Sequence, residues 1–471
     1  MYIQLSELGG RIRGDARRGV GASCHVLIIK VYGRTYCYLI DCGMDFSAMG
    51  NPVSWEDPIG LAGLKEFPEI NDAFVSHVHR DHGSCLARRP VLSRMKKNTR
   101  LFCSRPTAAF LPHVLADQRS FSDRREEEVP YSVDDINALL ERMKIIFKPG
   151  VLELVPGIVS VCILPSGHTR GSCQLIFLVQ ENRKKVKIMF SGDYAVHDTF
   201  STVGALLPPN NWSPDIIGSF DCTFGGLLLK SWDEEMDRLI MDSREMIARG
   251  GDVLVFASAF DYCPIVAQKL GELGIPVCLD GYSMVNFAHT MCSEDGVWCE
   301  QDQTIMLDAA HVCERPGEAL GYFDGPCAIV ASSGTGQGPA ARYLASMAYR
   351  DDVLIVAPGL VVPGSNGHRI MQAKHSDGYA LIEVDGEMIR TPVYARCEQY
   401  GLITHSRQQD AIPRIGLLLE NSQFLKSTGH PLVGLHHGSF SALNAYENAL
   451  SGLQTFRGDI KKDRDIVLVD W

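Results

Sequence analysis

The sequence predicts a mixed α/β protein in which a parallel-sheet domain is inserted into a domain of shorter strands. Three features of the 471-residue chain predict this arrangement. Short strand patterns joined by tight turns fill the first part, strands alternate with helices from about residue 224, and short strands return from about residue 381. Strands that alternate with helices indicate βαβ units in a parallel sheet. We therefore expect three segments, residues 1–223, 224–380 and 381–471, of which the first and last form one domain.

The first segment is expected to be rich in strands. A hairpin is predicted around Tyr32-Gly33-Arg34, with its strands at residues 24–30 and 35–40. Apolar runs predict further strands at residues 73–75, 101–103, 158–164, 173–179 and 187–190. A helix is predicted over residues 132–143, because Asp134 and Asp135 fall in its first turn, where acidic side chains are favourable.

The later segments contain both kinds of element. In the middle segment, helices are predicted at residues 232–249, 264–273 and 338–347, and strands at residues 253–256, 277–279, 328–331 and 353–356. The last segment opens with a predicted hairpin, residues 381–384 and 388–391, because Asp385-Gly386 is a strong turn signal between strands. It ends with predicted strands at residues 431–435 and 466–469 and a helix at residues 440–453.

Composition and charge narrow the classes of protein to consider. No apolar run reaches the roughly 18 residues that span a bilayer, and the N-terminal residues lack the pattern of a signal peptide. We therefore expect a cytoplasmic protein with no membrane association. The 15 cysteines are irregularly spaced without a Cys-x-x-Cys pair, so we expect reduced thiols. The net charge of −11 does not favour nucleic-acid binding by global electrostatics, although a metal site carries positive charge of its own.

The most informative motif is His77-Val-His79-Arg-Asp81-His82, directly after the predicted strand 73–75. Burying three imidazoles and a carboxylate together without a cation would cost several kcal/mol. The motif therefore indicates a metal site, and the alternative is a solvated polar loop. Metal at a strand end is typical of hydrolytic enzymes.

Two more metal-capable residues follow predicted strands further along the chain. His168 comes after strand 158–164, and Asp193 comes after strand 187–190. Gly167 and Gly192 precede them, as expected where the backbone approaches a crowded site. Either residue alone would be a weak signal. Their order after the first motif is much more specific.

This order of motifs resembles the metallo-β-lactamase superfamily, whose fold is an αββα sandwich with metals at one edge of its sheets. The resemblance implies one Zn²⁺ held by His77, His79 and His168, with an open position for water. It implies a second Zn²⁺ held by Asp81 and His82, and Asp193 bridging the two ions, with Mn²⁺ as an alternative metal. Two ions at such a site share a hydroxide and contact both the attacking and the leaving oxygen.

Later segments resemble the β-CASP nucleases of the same superfamily, over residues of about 20 to 455. Asp221-Cys222-Thr223-Phe224-Gly225 resembles their motif A, Leu402-Ile-Thr404-His405 their motif B, and His437-Gly438 their motif C. The resemblance implies an inserted α/β domain and phosphodiester hydrolysis, with the catalytic set Asp81, Asp221 and His405. His405 is expected to be a general acid oriented by Asp221, which would raise its pKa, although a structural histidine remains open.

His437 is expected to complete the shell of the second metal. His436 is an alternative ligand, although a strand would direct it to the opposite side. The loop Ser333-Gly334-Thr335-Gly336 resembles the family's strand, glycine loop and helix, where backbone N–H groups suit a phosphate, and a plain turn remains open. Arg407 stands where the family commonly has Asp, so we hypothesise that it contacts a phosphate.

These features predict a zinc-dependent nuclease for single-stranded RNA, since in the family a histidine at motif C goes with RNA-processing members. DNA is an alternative substrate. A catalytically inactive scaffold and a small-molecule metallo-hydrolase also remain open. We recognise no added RNA-binding module, so the chain is expected to act alone, as a homodimer, or with protein partners that provide specificity. Endonuclease and 5′-exonuclease action are both open.

Overall fold

Three large β-sheets organise the chain in the computed structural model. The structure describes residues 1–8, 23–44, 64, 66–124, 131–199, 202–260, 262–281, 310–313, 317–321, 324–359, 361–422, 432–457 and 465–470. Within these residues, no helix is long and apolar enough to cross a membrane. The cysteines among them are buried and form no disulfide with one another.

The strands and helices of the described residues are as follows. The strands are β1 Tyr2–Glu7, β2 His25–Val31, β3 Arg34–Ile40, β4 Ile70–Phe74, β5 Met95–Ser104, β6 Met143–Ile146, β7 Gly150–Val155, β8 Val159–Pro165, β9 Cys173–Glu181, β10 Lys184–Phe190, β11 Ile216–Asp221, β12 Asp252–Ala257, β13 Val277–Asp280, β14 Ala310–Val312, β15 Ala328–Ser332, β16 Val353–Ala357, β17 Tyr379–Val384, β18 Glu387–Pro392, β19 Arg396–Gln399, β20 Leu432–His436, β21 Gln454–Phe456 and β22 Asp465–Asp470. The helices are α1 Arg80–Gly83, α2 Arg89–Leu92, α3 Arg105–Arg124, α4 Val133–Leu140, α5 Trp232–Ala248, α6 Tyr262–Gly271, α7 Pro339–Met347, α8 Asn366–Gln372, α9 Gln408–Leu419 and α10 Phe440–Ala449.

Two seven-stranded sheets face each other across an apolar core. The first has the order β22-β1-β2-β3-β4-β5-β6, and the second has the order β21-β20-β11-β10-β9-β8-β7. Tyr38 and Phe74 of the first sheet contact Phe177 of the second, with ring centroids 5.6 and 5.3 Å apart. The chain returns to both sheets near its end, since β20 pairs with β11 and β22 pairs with β1. This is the metallo-β-lactamase sandwich that the motifs predicted.

The third sheet is parallel throughout and has the order β14-β13-β15-β12-β16-β19. Its strands are continuous apolar runs such as Val253–Phe256, as expected for a sheet that is buried on both faces. Helix α5 begins with a capping box between Ser231 and Glu234 and ends before Gly250, whose φ is 84°. The predicted α/β domain is therefore confirmed.

Several predicted elements differ from those observed. The helix predicted at residues 132–143 ends at Leu140, because residues 143–146 form β6 beside β5. The predicted hairpin at Asp385-Gly386 is confirmed, with φ of 51° and 90° at its turn. The boundary predicted between residues 380 and 381 lies inside β17, and β19 still pairs with β16 of the third sheet. Residue 431 of a predicted strand lies outside the described residues, and the strand runs over Leu432–His436.

Candidate metal centre

Histidine and aspartate side chains from separate strands meet at one edge of the two facing sheets. The segment after β4 carries His77 and His79 and leads into α1, which contributes Asp81 and His82. His168 follows β8, Asp193 follows β10 and His437 follows β20. Asp221 is the last residue of β11. The strands place their ends together, so residues that are far apart in sequence share one site.

The first group of ligand-capable atoms belongs to His77, His79, His168 and Asp193. Nδ1 of His79 lies 3.0 Å from Nε2 of His168, which lies 3.3 Å from Oδ2 of Asp193. Nε2 of His77 lies 3.6 Å from the same carboxylate oxygen. Two atoms bound to one tetrahedral zinc at about 2.0–2.1 Å lie about 3.3 Å apart, so the spacing of this donor set fits such an ion.

Ring orientations in this group also fit metal binding. Nδ1 of His168 donates to the carbonyl oxygen of Thr404 over 2.7 Å, and Nδ1 of His77 donates to Oγ of Ser76 over 3.1 Å. Each ring therefore directs Nε2 toward the centre of the group, as metal-binding histidines do when the other nitrogen is bonded to oxygen. Nε2 of His77 is buried and has no hydrogen bond within the described part of the chain. A metal ion would satisfy it.

The second group contains Asp81, His82 and His437. Nε2 of His437 lies 3.0 Å from Oδ2 of Asp81, and its Nδ1 donates to the hydroxyl of Thr223 over 2.9 Å. Nε2 of His82 lies 3.1 Å from Oδ1 of Asp193. These three side chains are buried as well, and they provide two imidazoles and a carboxylate for a second ion.

Asp193 lies between the two groups. Its Oδ2 faces His77 and His168 of the first group, whereas its Oδ1 faces His82 of the second. Gly192, directly before it, has a φ of 55°, and a Cβ there would lie 2.8 Å from Cβ of Ser76. The strand end therefore reaches the centre of the site only because this residue has no side chain.

Asp221 and His405 form a pair beside the metal-capable groups. Nδ1 of His405 donates to Oδ2 of Asp221 over 2.7 Å, and Nε2 of His405 lies 3.9 Å from Oδ2 of Asp193. The side chain of His405 is 15% exposed, more than that of Asp221. Burial opposes protonation of His405, but the carboxylates of Asp221 and Asp193 outweigh it and raise the pKa of this imidazole. The pair can hold a proton at the open side of the site.

The two consecutive histidines after β20 point to different places. His437 has a φ of 56°, which turns the chain out of the strand and brings its ring against Asp81. His436 instead has its Nε2 3.1 Å from Oγ of Ser23. His436 therefore lies outside both groups of the site, and it joins a separate cluster with Glu7 and His25.

The predicted phosphate loop lies at the C-terminal ends of the parallel strands β12 and β15. Gly334 approaches Ser258, since a Cβ on it would lie 3.2 Å from the nitrogen of Ser258. The hydroxyls of Ser333 and Thr335 lie 2.9 Å apart, and the carbonyl oxygen of Thr335 accepts from the nitrogen of Gly367. Gly336 has a φ of 72°, and the segment leads into the N-terminus of α7. Ligands commonly bind at the C-terminal ends of the strands in α/β sheets, where this loop lies.

Arg407 is engaged with its own helix. Its guanidinium contacts the carboxylate of Asp410, three residues further along, and donates to the carbonyl oxygen of Leu229. The side chain is 22% exposed. A phosphate contact would therefore compete with Asp410.

Sequence reasoning missed several residues that hold the site in place. Asp41 accepts from Nδ1 of His82 over 2.8 Å and from both the nitrogen and hydroxyl of Ser76 over 2.7 Å. Thr223 donates to Oδ1 of Asp221 over 2.6 Å. The ring of Phe260, from the third-sheet domain, lies 5.6 Å from the ring of His79. Asp41 had a signal in the sequence, because it directly follows the predicted strand 35–40.

Sequence comparison finds curated relatives of the chain. It is 24% identical over 253 residues to cleavage and polyadenylation specificity factor 73 of Drosophila melanogaster, covering 54% of this chain and 33% of that protein. It is 24% identical over 390 residues to transcription termination factor FttA of Methanocaldococcus jannaschii, covering 78% and 58%. It is 29% identical over 245 residues to cleavage and polyadenylation specificity factor subunit 3-I of Arabidopsis thaliana, covering 51% and 32%.

The matches leave a large part of each relative uncovered. The chain spans between 32% and 58% of the length of these relatives. No protein-family profile matches the chain. The relatives nevertheless have the metallo-β-lactamase fold that the motifs predict and that the arrangement of the three sheets matches.

Proposed function

We propose that this chain, a homologue of the β-CASP metallo-β-lactamase proteins, is a metal-dependent nuclease that hydrolyses phosphodiester bonds in single-stranded RNA. The observation that carries the proposal is the pair of Asp221 and His405 next to the metal-capable groups, with 2.7 Å between Oδ2 and Nδ1. Metal ligands alone would fit many hydrolases. A carboxylate-held imidazole at the exposed side suits a reaction whose leaving group needs a proton.

The proposed site holds two ions, Zn²⁺ or alternatively Mn²⁺. His77, His79 and His168 would hold one, Asp81, His82 and His437 the other, and Asp193 would contact both. Bound there, the ions would activate water and stabilise negative charge on the phosphate. The rest of the chemistry belongs to side chains that the structure describes.

His405 is proposed to be the general acid. Asp221 fixes the Nδ1–H of its ring, so Nε2 is the atom that presents a proton to the leaving oxygen. The carboxylate of Asp221 raises the pKa of His405 against the effect of burial, and so favours the protonated imidazole. General acids contribute roughly 10²–10⁴-fold in rate. The backbone nitrogens of Tyr194 and Thr223 donate to the carboxylate of Asp221. These hydrogen bonds hold the pair of Asp221 and His405 in place.

The third-sheet domain is proposed to hold the RNA strand across the site. Phe260 from this domain lies against His79, so the C-terminal ends of β12 and β15 open toward the metal-capable groups. Backbone nitrogens of Gly334 and Thr335 would meet a phosphate there, whereas those of Ser333 and Gly336 donate to carbonyl oxygens within the loop. Arg407 would take part only by exchanging Asp410 for the substrate. A second domain beside the site would suit a substrate chain better than a small molecule.

Two alternatives differ in what they require of the site. DNA would use the same groups, and the family resemblance at His437 is what favours RNA. An inactive scaffold would not need a complete donor set, whereas all seven predicted ligands are buried or nearly buried around one centre here. The retained ligands therefore support activity.

The test is cleavage of matched RNA and DNA oligonucleotides by the purified chain in Zn²⁺ or Mn²⁺. Each single strand carries a label at its 5′ or 3′ end, with or without a 5′-phosphate, so the product ladder separates substrate, polarity and endonuclease from exonuclease action. We expect RNA fragments from the wild type and none from His79→Ala. Equal cleavage by both proteins would refute the proposal. Cleavage of DNA alone would select the alternative substrate.

A further inference from the structure

We propose that Glu7, His25 and His436 form a third metal site, separate from the proposed two-ion centre, for a divalent transition-metal ion such as Zn²⁺. One ligand-capable atom of each residue lies within 4.8 Å of those of the other two. The site needs no cleavage of RNA to exist. It therefore stands or falls independently of the proposed function.

The fold brings these three residues together from both sheets. Glu7 and His25 are directly opposite each other in the antiparallel pair of β1 and β2, so their side chains share one face. A hydrogen bond of 2.8 Å from the nitrogen of Leu8 to the carbonyl oxygen of Cys24 keeps this register to the end of the pair. His436 ends β20 of the facing sheet, and its ring centroid lies 4.5 Å from that of His25.

The chemistry of the three groups fits a transition metal. They provide two imidazole nitrogens and one carboxylate, a donor set that binds zinc and leaves further positions open. Glu7, His25 and His436 are 2%, 3% and 5% exposed, so a carboxylate and two imidazoles lie together in the protein interior. A bound ion would place a positive charge directly beside the buried carboxylate of Glu7.

The cluster is adjacent to the proposed centre but does not share its ligands. Oγ of Ser23 lies 3.1 Å from Nε2 of His436 and 3.3 Å from Nε2 of His82. The nitrogen of Ser23 donates to the carbonyl oxygen of Asp81 over 2.8 Å. An ion at the third site would join the two sheets behind His82 and Asp81. We therefore assign it a positioning role, not a catalytic one.

The test is the metal content of the 471-residue chain after loading with Zn²⁺ and removal of excess metal. We expect one equivalent of zinc fewer in Glu7→Gln and in His436→Gln than in the wild type, by elemental mass spectrometry. The matched control is Glu235→Gln, which changes another buried glutamate, one held by Arg238 over 2.7 Å. It should keep the wild-type zinc content.

The outcomes separate this proposal from the two-ion centre. If Glu7→Gln and His436→Gln fold with the circular dichroism of the wild type and keep its full zinc content, the cluster is a metal-free hydrogen-bonded group and the proposal is refuted. If the wild type holds one ion that is lost in Glu7→Gln but kept in Asp193→Ala, the third site stands and the two-ion centre fails. Should Glu7→Gln not fold, His25→Gln and His436→Gln decide the question by the same count.

Discussion

Asp41 bonds to the outer nitrogen of His82, with 2.8 Å between Oδ2 and Nδ1, while the inner nitrogen of the same ring faces Asp193. The ring is therefore held by a carboxylate on one side and presented to the proposed second ion on the other. Asp41 also accepts two hydrogen bonds from Ser76. Such outer partners orient a metal ligand and make it more basic.

We expect Asp41→Asn to weaken zinc binding by roughly 10–100-fold, the range typical for loss of such a partner. Zinc affinity measured by competition with a chromophoric chelator checks this. Asp72→Asn is the matched control, because Asp72 is buried in the middle of the neighbouring strand β4 and bonds to Arg100 over 2.7 Å. Equal zinc affinity in Asp41→Asn and the wild type would show that His82 needs no such support.

His405→Gln separates the proposed general acid from the metal ligands. We expect kcat for RNA cleavage to fall roughly 10²–10⁴-fold, because the leaving oxygen loses its proton donor. His405 also lies in a group with Asp193, Asp221 and His437 that could hold an ion. Zinc content should nevertheless stay at the wild-type value, because Nδ1 of the ring donates to Asp221 and Nε2 is proposed to carry the proton. His79→Ala should lose zinc together with activity. A His405→Gln protein with wild-type kcat would make His405 a structural residue.

The location of the site could be predicted from sequence because each ligand follows a strand end. His77, His168 and Asp193 each follow a strand that the apolar pattern revealed. β4 belongs to one sheet and β8 and β10 to the facing sheet, and all three strands end at the edge where the site lies. The hydrogen bonds that orient the ligands could not be predicted from the sequence. Ser23, Asp41 and Thr404 act through pairs separated by tens or hundreds of residues, and no local pattern encodes such pairs.

The distinction between His436 and His437 shows where local reasoning works and where it stops. Alternation along a strand predicted that the two rings point to opposite sides. The positive φ of 56° at His437, which brings it to Asp81, depends on tertiary contacts. The position of His436 beside Glu7 and His25 could not be predicted either, because strand β1, which carries Glu7, was not predicted.

Removing the metal should lower the thermal stability of the chain. The centre packs buried imidazoles and carboxylates within hydrogen-bonding distance of one another. The proposed ions would bind this folded arrangement and not the unfolded chain. An ion present at 1,000 times its dissociation constant stabilises the folded state by about 4 kcal/mol. We expect a lower Tm after dialysis against a chelator, with recovery on adding Zn²⁺, by differential scanning calorimetry. An unchanged Tm in metal-free protein would contradict a buried metal centre.

Gly43→Ala should disrupt the metal centre without touching a ligand. The segment after β3 lies against helix α1. The backbone nitrogen of Cys42 donates to the carbonyl oxygen of His82, and that of Met44 donates to the carbonyl oxygen of Arg80. A Cβ on Gly43 would lie 1.8 Å from the backbone carbonyl of Asp81, where nothing flexible can yield. The short helix α1, which carries Asp81 and His82, must therefore shift.

Because a displacement of about 1 Å in a catalytic group can cost 10²-fold in rate, we expect Gly43→Ala to lose zinc from the second group and at least that much kcat. Gly416→Ala is the control, since a Cβ there meets nothing within 4 Å in helix α9. It should raise the free energy of unfolding by roughly 0.5–1 kcal/mol, because alanine favours a helix more than glycine does. Normal zinc content and kcat in Gly43→Ala would mean that the contact between the two loops does not position the ligands.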